Sequence, residues 1–131
     1  MILGIGVDAI EPERIARALK NPRFAARMYT DAERARIAQA GRAAPERAAG
    51  IFAGKEAALK ALGCGFSGVG FHDVEVLADG AGRPQLCFHG AALDRLRALG
   101  AARWHISVSH IQAVAVAFVV LEDLPPASGG A

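Results

Sequence analysis

The sequence predicts an α+β fold, a single domain in which a mainly antiparallel sheet packs with a long central helix. Three observations lead there. At 131 residues the chain fits one domain and leaves little room for two. Strand-like apolar segments stand at both ends and in the middle, and Asp79-Gly80-Ala81-Gly82-Arg83-Pro84 joins two of them as a hairpin between sequence neighbours. Helical patterning runs from Pro45 to Leu62, longer than any other helical stretch. Strands and helices mixed in this way favour α+β over a doubly wound fold.

Residues 2–8 carry apolar side chains on both faces and read as a buried strand ending at Asp8. Glu11-Pro12 opens the first helix, since proline's missing N–H has no partner in a first turn, and Ile15, Ala18 and Leu19 mark its inner face. Asn21-Pro22 repeats the signal for a short helix to Met28. Thr30-Asp31-Ala32-Glu33 is a capping box, and its helix stops near Gly41. The long helix closes on Gly63 as a left-handed cap. Four glycines follow in the eight residues 63–70, a tightly shaped or mobile loop. Val74 and Val76 mark a strand, Gln85–Phe88 its hairpin partner, and 91–99 a helix closed by Gly100. Residues 104–109 and 113–121 are the last two strands, and the apolar character of the second argues for a central place in the sheet. The domain is assigned to 1–124 and residues 125–131 to a disordered tail.

No apolar run approaches the ~20 residues of a membrane span, and the N-terminus lacks a signal peptide's basic start, so the expected location is cytoplasmic. Cys64 and Cys87 have no CxxC spacing and read as reduced thiols. The net charge of +2 hides a local patch: Arg14, Arg17, Lys20, Arg23 and Arg27 occur with no acid between them. That suits an acidic partner but is too small to indicate nucleic acid.

Three places have the residue types for chemistry. Asp8 ends a buried strand, where a carboxylate is either held for a ligand or caps the next helix. Glu56 and Lys60 lie one turn apart on an otherwise apolar helix, either as an ordinary ion pair or as part of a covered site. Lys55 lies ~100° around the helix from Glu56 and need not join it. Period two puts His105, Ser107 and Ser109 on one strand face, suited to solvent or to a phosphate or ribose. His72 and His89 read as surface histidines, and no HExxH pair suggests zinc. Two carboxylates form a sparse oxygen site of the kind magnesium accepts, with phosphates and water completing its shell.

Together these blocks resemble the short bacterial holo-[acyl-carrier-protein] synthases, of the 4′-phosphopantetheinyl transferase family. The matching residues are Gly4-Ile5-Gly6-Val7-Asp8, Arg14-Ile15, Phe24 with Arg27, Thr30 with Glu33, Phe52 through Gly63, and His105, Ser107, Ser109 and His110. They span residues 4–110 in the right order. Phe52 stands where tryptophan is commoner, Gly54 where alanine is usual, and Cys64 where threonine is common.

The resemblance implies transfer of 4′-phosphopantetheine from coenzyme A to a serine of apo acyl carrier protein, in support of fatty acid biosynthesis. It implies Mg2+ on Asp8 and Glu56, and Lys60 on the phosphates. Gly63, Gly65, His105 and Ser107 would meet the nucleotide half, and Arg14, Arg17, Lys20, Arg23 and Arg27 the acidic carrier. Glu56 is the preferred base for the serine proton, directly or through a bound water. A homotrimer is implied, with His105 serving an adjacent subunit's site. The competing reading is an arginine-rich module that binds an acidic partner without catalysis; an inactive structural subunit is a third.

Overall fold

The computed structural model describes residues 1–63 and 68–124. The chain begins with β1 (Ile2–Ile10), then three short helices, α1 (Pro12–Ala18), α2 (Pro22–Met28) and α3 (Asp31–Gln39). The long helix α4 (Ala44–Leu62) follows. The second half runs β2 (Val74–Ala78), β3 (Pro84–Phe88), α5 (Gly90–Ala98), β4 (Arg103–His110) and β5 (Ala115–Glu122). The signals that predicted these elements act as expected. Pro12 and Pro22 sit in first turns, Asn21 Oδ1 accepts from Arg23 N, and Gly63 caps α4 at φ 70°.

All strand pairings are antiparallel, in a three-stranded sheet β1-β5-β4 and a hairpin β2-β3. The apolar β5 is central, as expected, but the polar β4 is an edge of its sheet. Trp104 of β4 ties the two sheets together: its Nε1 donates to Leu86 O at 3.0 Å and its ring meets Phe88 edge-on. Asp8 does not end β1. The strand continues to Ile10, and Asp8 pairs with Ala117 inside the ladder.

One face of the three-stranded sheet packs on α4. Ala115, Ala117, Val119 and Leu121 of β5 are buried there, with Ile106 and Val108 of β4 turned the same way. The helix surface against β1 is made of alanine, and β1 answers with glycine. A Cβ on Gly6 would stand 1.8 Å from the carbonyl oxygen of Ala57, and one on Gly4 would stand 2.1 Å from that of Ala61. Helix backbone and strand backbone therefore touch, which only glycine permits. A Cβ on Gly54 would stand 3.0 Å from side-chain carbons of Ile106 and of Val76, a packing reason for glycine at this position.

The other face of the sheet has no such cover among the described residues. Ile5, Val7 and Phe118 are 58%, 44% and 50% exposed there, beside His105, Ser107 and Ser109. The proposed tail 125–131, Cys64 and Gly65 lie outside the described residues.

Candidate functional site

Period two along β1 places Gly4, Gly6 and Asp8 on one face, the face against α4. The glycines bring the strand onto the helix at Ala61 and Ala57, and Asp8, next in the row, is near enough for its charge to act on Glu56. Lys60 lies one turn further along α4. Its Nζ donates to Asp8 Oδ1 at 3.2 Å and to Val7 O at 3.0 Å. Of the two readings of Glu56 and Lys60, the simple ion pair is not the one formed: Lys60 bridges to Asp8 across the strand–helix contact and acts on Glu56 through its charge.

Glu56 is half-buried, and its carboxyl is pushed above the ordinary carboxylate range by burial and then by the charge of Asp8, with Lys60 pulling the other way. The two carboxylates repel in a partly covered place, and Lys60 offsets part of that charge; a divalent cation held by both would offset the rest. The donors are hard oxygens and few, which fits magnesium with phosphates and water in the remaining positions. Among the described residues no third histidine, cysteine or acid joins them as a metal cluster.

Lys55 is fully buried and paired at 2.5 Å with the equally buried Glu33. Burial lowers the Lys55 pKa and Glu33 opposes that. Glu33 does more than cap α3. Its Oε1 also accepts from Thr30 N, and its Oε2 accepts from Val76 N in β2. The capping box is visible in the sequence, and the role of Lys55 is not. Only the approach of α3, β2 and α4 shows that one carboxylate serves all three.

His105 and Ser107 lie on the uncovered sheet face, opposite the α4 side that carries Asp8. Within one chain they do not join Asp8, Glu56 and Lys60. His105 Nε2 instead donates to Glu122 Oε2 at 2.6 Å. His110, the residue after Ser109, turns the other way and lines a cavity of about 220 Å³ with Arg36, Glu46, Arg47 and Pro84. That cavity was not legible in the sequence, since its walls come from α3, α4, the hairpin and β4. His72 and His89 are exposed as expected, although each has a partner: Ala26 O for His72 and Glu75 for His89. The half-buried Cys87 has its thiol pKa raised by burial, in keeping with a reduced thiol.

Arg14, Arg17, Lys20, Arg23 and Arg27 are all exposed, with no ion pair among the described residues. No described helix is long and apolar enough to cross a membrane.

Residues 4–119 match the family model of the 4′-phosphopantetheinyl transferase superfamily. A holo-[acyl-carrier-protein] synthase from Solidesulfovibrio magneticus is 53% identical over 125 residues, covering 93% of this chain and 99% of that one. Another, from Koribacter versatilis, is 48% identical over 126 residues, covering 94% and 100%. Among solved structures, a holo-(acyl-carrier-protein) synthase from Bacillus anthracis in complex with CoA (3′,5′-ADP) superposes with a TM-score of 0.79 at 39% identity, covering 95% and 99%. The synthase from Neisseria meningitidis gives 0.83 at 36%, covering 94% and 100%.

Proposed function

This chain belongs to the 4′-phosphopantetheinyl transferase superfamily, and on that premise we propose that it transfers 4′-phosphopantetheine from coenzyme A to a serine of apo acyl carrier protein. Adenosine 3′,5′-bisphosphate is released. The observation that carries this reading is the Asp8–Glu56–Lys60 group, set where β1 touches α4.

In the transfer, the serine oxygen bonds to the phosphorus that carries the pantetheine, and the bond from that phosphorus to the bridging oxygen breaks. The serine proton is assigned to Glu56, directly or through a bound water, its hold on a proton strengthened by burial and by the charge of Asp8. Asp8 and Glu56 are the residues that would hold Mg2+, and the chemistry supplied by that ion is neutralisation of charge on the pyrophosphate. Lys60, anchored to Val7 O and more than half exposed, offers its ammonium to the phosphates. The Gly63 turn, with Gly65 beyond it, is proposed for the nucleotide half.

A homotrimer accounts for two features that one chain leaves open. The uncovered apolar face of Ile5, Val7 and Phe118 needs a partner. His105 and Ser107, turned away from their own Asp8, would then face a neighbour's site. The cavity with Arg36, Arg47 and His110 suits an anionic ligand and is a further candidate for the nucleotide half. The exposed bases of α1 and α2 would steer an acidic carrier, chiefly through association rate. A role in fatty acid biosynthesis and a cytoplasmic location follow from this partner.

The test is to incubate the chain with apo carrier protein, coenzyme A and Mg2+, and to weigh the carrier. A phosphopantetheine mass gain that disappears with Glu56→Gln is expected. No gain with a folded chain and a competent carrier overturns the reading and favours the non-catalytic arginine-rich module.

A further inference from the structure

Helix α4 carries Glu56 and Lys60, so the geometry of the candidate site depends on how that helix is rotated about its axis. On one flank it is set by backbone contact, where Gly4 and Gly6 admit the carbonyls of Ala61 and Ala57. Alanine against glycine leaves no side chain to interlock, so this contact fixes distance better than rotation. On another flank stands Lys55, the residue before Glu56. Its fully buried ammonium donates to Glu33 Oε1 at 2.5 Å and lies 5.9 Å from the centre of the Tyr29 ring.

Glu33 cannot swing to follow a moving lysine. Its two oxygens accept from Thr30 N at 2.9 Å and Val76 N at 2.8 Å, so it is fixed to the start of α3 and to β2. Thr30 is fixed in turn, its Oγ1 donating to Glu75 Oε2 at 2.6 Å. Tyr29, beside the pair, donates its hydroxyl to Ala48 O of α4. The helix is thus pinned at Lys55 to a frame made of two other elements.

The lever is short. A turn of ~20° about the α4 axis moves a carboxylate held ~6 Å out by ~2 Å, comparable with a metal–oxygen bond. We propose that the buried Lys55–Glu33 pair is a positioning device that sets the rotation of α4, so that Glu56 meets Asp8 at metal-binding distance. Lys55 itself touches neither ligand nor substrate. This rests on Asp8 and Glu56 being the metal pair.

A variant that removes both charges, Glu33→Gln with Lys55→Met, leaves no buried ion unpaired but loses one backbone acceptor, so its urea unfolding is measured alongside to separate positioning from stability. Mn2+ serves as the probe, its binding to the metal-free chain read by electron paramagnetic resonance, together with the Mg2+ activation constant and kcat. The variant is expected to bind Mn2+ ~10–100-fold more weakly, the range over which outer partners of a metal site act. Its kcat should recover toward the unaltered value as Mg2+ is raised. A folded variant with unaltered Mn2+ affinity overturns the inference and leaves the metal pair standing. Failure of the unaltered chain to bind Mn2+ overturns the metal pair, and the inference with it. Should the double variant not fold, Lys55→Arg keeps the charge but lengthens the arm. It is expected to weaken Mn2+ binding in the same direction, and unchanged affinity there refutes the proposal.

Discussion

Gly6→Ala tests the contact on which the candidate site is built. The added Cβ would lie 1.8 Å from Ala57 O, 2.7 Å from its carbonyl carbon and 2.9 Å from Ala61 N, all backbone atoms of α4. None can rotate away. Bringing the nearest contact out to 3.0 Å, still tighter than carbon atoms normally accept, needs 3.0 − 1.8 = 1.2 Å of movement along that line. The strand cannot supply it alone, because β1 is laddered to β5 from Gly4 to Ile10 and β5 packs on the same helix. The expected cost is ~3 kcal/mol, the upper part of the range for overpacking, out of a total of ~5–15 kcal/mol for a domain. The shift also moves Asp8, two residues on, away from Glu56. A misplacement of ~1 Å is enough to lower turnover ~100-fold. Urea unfolding followed by circular dichroism, with carrier loading measured in parallel, reads both effects. Gly80→Ala is the control, since nothing lies within 4 Å of a Cβ there, and it should change stability by under ~0.5 kcal/mol. A Gly6→Ala chain as stable and as active as the Gly80→Ala chain refutes the argument.

Glu56→Gln should abolish turnover and the rise in melting temperature on adding Mg2+. The Glu56 pKa is raised on folding, so its stabilising contribution is complete below the unfolded pKa and lost as pH rises through the folded one. Removing the charge should therefore raise the metal-free melting temperature at pH 8 and not at pH 4. Lys55→Met alone leaves Glu33 buried and unpaired and should cost ~3–5 kcal/mol in denaturant unfolding, most of it recovered on adding Glu33→Gln. Phe118→Asp, on the uncovered sheet face, should leave the fold intact and reduce the proposed homotrimer to single chains by light scattering, with loss of turnover. Arg14→Glu with Arg17→Glu should raise KM for the carrier and flatten its salt dependence, with KM for coenzyme A unchanged.

Much of this was readable in the chain. Local signals carried the helix boundaries: Asn21, the Thr30–Glu33 box and Gly63 act within a few residues of themselves, so their partners are already in view. Asp8, Glu56 and Lys60 were legible as chemistry from their isolation in apolar surroundings. Their pairing was not. The Lys60–Asp8 bridge joins residues 52 apart, and the glycines that make room for it look in sequence like mere flexibility. His105 was placed by strand period on the right face of β4. The same period could not say that this face points away from Asp8, because that depends on which side of the sheet α4 covers.

By itself, then, the sequence determined the α+β class and the elements and offered the candidate site residues, because patterning and capping are local. Tertiary structure decided that Asp8 lies inside its strand, that Lys55 is pinned by Glu33, that His110 lines the cavity and that one sheet face stays bare. Each of these depends on surfaces from distant segments meeting. Contact at that range is set by how glycine, alanine and one buried ion pair allow the layers to approach.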